Sequence, residues 1–166
     1  MTPLLSRSLW LLPLLALLLA GPATAAGERH TVRRVYDGDT LEVAGLGKVR
    51  LLGIDTPERE DSARDDFLLR RGLQRGRLRQ IDRQATEFTR RQTQGHQLRF
   101  EFDRPRRDRH GRILAYVYLP DGRLLNRLLL EAGLAVVYRR FDFTLKQDFL
   151  AAEERARHKR AGLWQP

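Results

Sequence analysis

The chain of 166 residues contains no cysteine, one methionine and only three lysines. Without cysteine there are no disulfides, no thiol chemistry and no Cys-ligated zinc, so the fold must rest on its apolar core. The four histidines, His30, His96, His110 and His158, show no HxxxH-type spacing, which argues against a histidine zinc site. No internal repeat or linker divides the sequence. Long apolar runs are missing too, save one from Leu9 to Ala20. It lies between Arg7 and the small residues Ala23, Thr24 and Ala25, the basic, apolar, A-x-A order of a secretory signal peptide, and is short for a membrane span. The expectation is a signal peptide over residues 1–25, cleaved after Ala25, and a mature protein that is secreted or periplasmic without stable membrane association. An uncleaved N-terminal anchor is the alternative.

What the sequence has in excess is arginine, 28 residues of it, giving a formal charge of +10. A small, strongly basic domain points to a polyanion, either nucleic acid or an acidic membrane surface, unless the bias reflects codon usage alone. The membrane option lacks the Lys-rich amphipathic helix with exposed aromatics that it needs. The remaining roughly 140 residues suit one domain with a single core.

Along that domain, "HTVRRVYD" alternates like a strand, "DGDT" reads as a turn, and "LEVAGLGKVRLLGI" as a hairpin folded at Gly45-Leu46-Gly47. Folding there carries Asp39 toward the end of the sheet where Asp55 lies, so two acids share one rim. A polar, Arg-rich stretch of about three dozen residues follows Pro57, long enough for a functional or mobile connection. Within it Ile81, Ala85 and Phe88 form an apolar stripe that predicts a helix from about Ile81 to Gln94, ended by Gly95, with a less regular helical segment before it. "HQLRFEFD" and "ILAYVYL" read as strands around the basic turn "RPRRDRHGR", and "LLNRLLLEAG" as a short helix capped by Gly133. "LAVVYRRF" is extended, and the C-terminal segment is an amphipathic helix with Phe149, Ala152 and Ala156 inward and Trp164 at its end. The fold class is α+β, mainly β: a five-stranded OB-fold barrel with three helices, over residues 29–164.

Polar clusters interrupt this plan: Asp37 and Asp39 in "DGDT", the group Arg50, Asp55, Thr56 and Glu58, and Arg112 in "DRHGR". Two carboxylates with a backbone carbonyl and waters make an oxygen-only site of the Ca²⁺ or Mg²⁺ type. Nearby guanidiniums offer forks matched to phosphate oxygens. Singly these signals are weak, since "DGD" turns and basic loops are common on surfaces. Together they suit phosphodiester hydrolysis.

"VYDGDTLEV", "VRLLGIDTPE", "DRHGRILAYVYL" and "LNRLLLEAGLAVVY" resemble, in matching order over about residues 30 to 164, the thermonucleases, the staphylococcal-nuclease-like domains. The resemblance implies an OB-fold, calcium-dependent nuclease that cuts DNA and RNA to 3'-phosphates. A single-stranded or unstacked substrate and a monomeric protein are separate expectations. It implies one Ca²⁺ held by the side chains of Asp39 and Asp55 and the carbonyl of Thr56, with Asp37 supporting them from behind. It assigns catalysis to Arg50, Arg112 and Glu58. Arg109 and His110 stand where the family's prototype has a lysine and a tyrosine that contact substrate phosphate, and Tyr138 resembles a tyrosine packed near the nucleotide. The connection after Glu58 is about a dozen residues longer than the prototype's. Its arginines, Arg70, Arg71, Arg75, Arg77 and Arg79, either extend the phosphate-binding surface or form a solvated helix face, the second being favoured. The rival from another class is a non-catalytic OB-fold module that binds nucleic acid, against which the retained acids and arginines argue.

Overall fold

A computed structural model describes residues 27–165; the expected signal peptide lies outside them. Three consecutive strands, β1 (Glu28–Val35), β2 (Thr40–Val43) and β3 (Gly47–Leu51), form an antiparallel meander. The sequence then makes a two-residue strand β4 (Ile54–Asp55), a short helix α1 (Asp66–Leu69) and a long helix α2 (Arg75–Thr93). It returns as β5 (Gln97–Arg107) and β6 (Ile113–Tyr118), followed by α3 (Leu125–Glu131), the two-residue strand β7 (Val136–Val137) and α4 (Lys146–His158). The five long strands close a barrel in the order β1-β2-β3-β6-β5, with β3 and β6 parallel and every other pair antiparallel. Closure leaves the barrel itself no free edge, which is how a small β domain avoids edge-to-edge association. β4 and β7 pair with each other outside the barrel, Asp55 opposite Val136.

The barrel interior is filled by alternate strand residues, as the period of two requires: Leu41 and Val43 from β2, Val49 and Leu51 from β3, Leu98 and Phe100 from β5, Ala115 and Val117 from β6, all fully buried. Arg50, between Val49 and Leu51, therefore faces the other way. α2 and α3 cover the barrel, and α4 packs on α3 with Phe149, Ala152 and Ala156 buried, the inner side expected from the sequence. Gly133 follows α3 in a left-handed conformation, φ +66°, as its expected cap. Among the described residues no helix is long and apolar enough to cross a membrane.

Three differences from the sequence expectation stand out. Among the described residues there are four α-helices rather than three, because the connection after Glu58 adds the short helix α1, which buries its own Leu68. α2 begins at Arg75, six residues before the apolar stripe at Ile81, and ends at Thr93. Its buried face runs through Leu78, Asp82, Thr86, Thr89 and Thr93 as well as Ile81 and Ala85. A stripe half made of threonine and aspartate is invisible to an apolar count. The extended segment expected over "LAVVYRRF" is regular strand only at Val136–Val137.

Asn126, at the start of α3, is fully buried and ties the barrel to the helix. Its Nδ2 donates to the carbonyls of Leu52 (2.9 Å) and Ala115 (3.3 Å), and its Oδ1 accepts from the Val117 N–H (3.1 Å). Truncation takes this partner from the Leu52 carbonyl and the Val117 N–H, while the Ala115 carbonyl keeps the Leu52 N–H at 2.9 Å. Asn126→Ala is expected to lower the unfolding free energy by about 3 kcal/mol, read from urea midpoints. A loss under about 1 kcal/mol would contradict this role.

Candidate active site

The site grows from the turn between β1 and β2. Asp37 accepts the Asp39 N–H at 3.0 Å, an Asx turn that points the Asp39 side chain inward, where it is 1 % exposed. The middle residue must be glycine. A Cβ on Gly38 would lie 2.7 Å from the Ala85 Cβ and 2.8 Å from the Thr56 Cγ2. α2 thus presses directly on the turn, and Thr89 Oγ1 fixes it further by donating to the Gly38 carbonyl at 2.7 Å.

Asp39 then organises its surroundings. Its Oδ2 accepts the Thr56 N–H at 3.1 Å, and its Oδ1 accepts Thr40 Oγ1 at 3.0 Å and Arg50 Nη1 at 2.6 Å. Arg50 sits opposite Thr40 in the β2–β3 register, and its second nitrogen, Nη2, donates to Asp55 Oδ1. One guanidinium fork therefore bridges the two acids that the sequence places on one rim. The side chains of Arg50 and Asp39 are 9 % and 2 % exposed, so neither charge has water to fall back on.

Glu58 and Asp55 share a second guanidinium. Arg64, from the 3-10 turn Ala63–Asp65 in the long connection, donates Nη2 to Asp55 Oδ1 and pairs Nη1 with Glu58 Oε1. The sequence reading did not single out Arg64. The signal for its placement is "SARD": Ser62 Oγ caps the turn at the Arg64 N–H (3.2 Å), and buried Asp65 accepts the Glu58 N–H (3.2 Å) and Arg79 Nη2 (2.8 Å).

Across the mouth, Arg112 lies at the end of the β5–β6 turn. Asp108 accepts its N–H at 3.0 Å and its Nε at 2.7 Å, which leaves the Nη edge of the fork unclaimed by that bond. Asp108, too, went unremarked in the sequence. Arg50, Asp55, Thr56, Arg112, Arg109, His110 and Tyr138 all line one cavity of about 550 Å³. Arg64, Arg70, Arg107, Arg139 and Arg140 line it as well, so its wall is strongly cationic. Arg109 and His110 are exposed and bonded to each other, Nε to Nε2, at 3.1 Å. Tyr138 is half-buried, its N–H on the Gly53 carbonyl (2.9 Å) and its ring 5.3 Å from that of Phe141. The segment is anchored by buried Glu153, which accepts the Val137 N–H at 2.9 Å and pairs with Arg139. The favoured picture of the long connection as a solvated face holds for Arg71 and Arg75, which are exposed. It does not hold for Arg70, in the cavity wall, for Arg79, bound to Asp65, or for Arg77, whose Nη2 donates to the Gly162 carbonyl at 2.7 Å.

The electrostatic balance of the inner cluster is negative. Asp37, Asp39, Asp55 and Glu58 face only Arg50 and Arg64. Burial, then the neighbouring Asp39 charge, pushes the Asp37 carboxyl up to about 7. Burial raises Asp55 against the pull of Arg50, and raises Glu58 against the pull of Arg64. Such an excess of desolvated carboxylate fits a hard divalent cation, whose ligands are oxygens. Among the described residues no three His, Cys, Asp or Glu side chains converge as a complete metal cluster. A cation here has to draw on Asp39, Asp55, backbone carbonyl and water.

A closed five-stranded barrel with an acid-arginine cluster at its rim and an arginine-lined mouth defines an OB-type nuclease-like domain. A family model described as staphylococcal nuclease homologue matches residues 48–166, and the chain belongs to that family. It is 30 % identical over 149 residues to a thermonuclease of Staphylococcus hyicus, covering 87 % of this chain and 80 % of the relative. It is 32 % identical over 157 residues to an uncharacterized endonuclease of Escherichia coli, covering 92 % and 88 %. An uncharacterized protein of Methanocaldococcus jannaschii is 36 % identical over 145 residues, covering 80 % and 70 %.

Removing Arg50 abandons Asp39 in a dry site. Arg50→Met is expected to lower the unfolding free energy of the cation-free protein by about 3–5 kcal/mol, and adding Asp39→Asn should restore part of that loss. Urea titration in EDTA measures both. A double variant no more stable than Arg50→Met would mean that the buried Asp39 charge is not the source of the loss.

Proposed function

We propose that the chain is an exported, calcium-dependent, sugar-nonspecific nuclease that hydrolyses phosphodiester bonds of DNA and RNA to 3'-phosphate products. The observation that carries this is the Arg50 fork, held between Asp39 and Asp55 at the edge of an arginine-lined cavity. A buried guanidinium with fixed geometry matches the paired oxygens of a phosphate, and the cationic wall suits a polyanionic chain.

In this reading Asp39, Asp55 and the Thr56 carbonyl hold one Ca²⁺, with Asp37 fixing the Asp39 backbone behind them. When bound there, such an ion would supply Lewis-acid charge neutralisation to the phosphate and polarise a water. Glu58 orients the attacking water and takes its proton, a role suited to a half-buried carboxylate whose pKa burial raises. Arg50 donates to the equatorial oxygens as negative charge builds on them. Arg112, braced by Asp108, donates from the leaving-group side as the bond from phosphorus to the 5'-oxygen breaks. Each guanidinium contributes roughly 3 kcal/mol as a preorganised donor.

Arg109 and His110 sit at the cavity wall where flanking phosphates pass, and Tyr138 offers a ring face to an unstacked base, which favours single-stranded substrate. The protein works as a monomer, exported to the periplasm or the medium by its N-terminal segment.

The test uses residues 26–166 with single-stranded DNA in calcium, in EGTA, and with Glu58→Gln in calcium. Cleavage is expected only with calcium and intact Glu58, the variant falling by about 100-fold or more. Equal cleavage in all three contradicts the mechanism. Tight binding without cleavage in any of them favours a non-catalytic nucleic-acid-binding module.

A further inference from the structure

The long connection after Glu58 delivers Arg64 onto the two acids that the proposed mechanism needs free. Its guanidinium spans them, Nη2 on Asp55 Oδ1 and Nη1 on Glu58 Oε1. The contact is built into the segment. Ser62 caps the turn that carries Arg64, and the following residue, Asp65, is 2 % exposed and binds both the Glu58 N–H and Arg79 of α2. The backbone on either side of the pair is therefore held at fixed separation while the side chain itself is not. Arg64 is 41 % exposed at its side chain, against 9 % for Arg50 on the same Asp55 oxygen. Arg50 is itself buried and is held between buried Asp39 and the partly exposed Asp55; Arg64 lines the wall of the open cavity and has room to swing into it.

We propose that Arg64 is a built-in counter-ion of the cation site, holding Asp55 and Glu58 together while no divalent cation is bound and giving up Asp55 when one binds. The inference rests on the reading that Asp55 ligates Ca²⁺. The inner cluster carries more acid than base even with both arginines present, so bringing Asp55 and Glu58 together without a cation requires a positive charge between them. A cation at Asp55 supplies that charge and repels the guanidinium that had supplied it. Coordination is then a competition. The cation-free site stays assembled, and part of the affinity for the ion is spent on displacing Arg64.

Isothermal titration with Ca²⁺, without substrate, tests this on the wild type, Arg64→Gln, Arg64→Lys and the exposed control Arg71→Gln. Arg64→Gln is expected to bind Ca²⁺ about three- to tenfold more tightly than the wild type, Arg64→Lys to fall between them, and Arg71→Gln to stay within about twofold of the wild type. The Tm of Arg64→Gln without cation should fall while its rise on adding Ca²⁺ grows, a pattern that lost packing alone does not give. Unchanged or weaker Ca²⁺ binding by Arg64→Gln overturns the inference and leaves the nuclease reading standing. So does equal tightening in Arg71→Gln, which would reduce the effect to net charge. If neither the wild type nor Arg64→Gln binds Ca²⁺, the calcium reading and the inference fall together.

Discussion

The bridge from Asp39 through Arg50 to Asp55 is the contact on which the site depends. Asp39 is almost fully buried, and an isolated carboxylate there is untenable; Arg50 makes it tolerable, and the same fork fixes Asp55 at the end of β4. Because Asp39 also accepts the Thr56 N–H, the one ion pair sets three groups at once: two carboxylates and the backbone from which a third oxygen is offered. The expense of burying charge is the reason the geometry is sharp. A looser surface cluster of the same residues would have no such constraint.

Around this bridge the scaffold works from two sides. From below, the barrel strands β2 and β3 hold Thr40 and Arg50 in register while Val49 and Leu51 lock the strand into the core. From above, α2 presses Ala85 on Gly38, holds the turn through Thr89, and reaches the long connection through Arg79. The connection is thus a second support rather than loose chain, and it contributes Arg64 to the site and Arg70 to the cavity wall. On the far side, Asp108 and Glu153 each brace an arginine, Arg112 and Arg139, at the mouth. Carboxylates throughout this face orient guanidiniums, which is how so basic a chain aims its charge.

Much of this was legible in the sequence, for definable reasons. Strands with strict alternation, such as Leu98, Phe100 and Phe102, announced themselves, and the barrel followed from their order. The rim pairing of Asp39 with Asp55 followed from folding a hairpin at Gly45–Gly47, a local geometry that sequence encodes well. The start of α2 was hidden because its buried face mixes Leu78 with Asp82 and threonines, so burial there does not track hydrophobicity. Arg64 was hidden among many arginines of similar spacing. What distinguishes it is the burial of its neighbour Asp65, a tertiary fact with only a faint local trace in "SARD". Asp108 passed unnoticed within a basic turn; that its side chain both accepts the His110 N–H of that turn and braces Arg112 shows only in three dimensions.

The central claim is that the fork of Arg50, not merely its charge, serves both the folded site and the phosphate. The most direct measurement is kcat/KM of Arg50→Lys on single-stranded DNA with calcium, set beside its Tm. Lysine keeps the positive charge between Asp39 and Asp55 but is a single-point donor, so the protein should remain folded while cleavage falls by about 100-fold or more. A folded Arg50→Lys variant cleaving within about threefold of the wild type would contradict the claim.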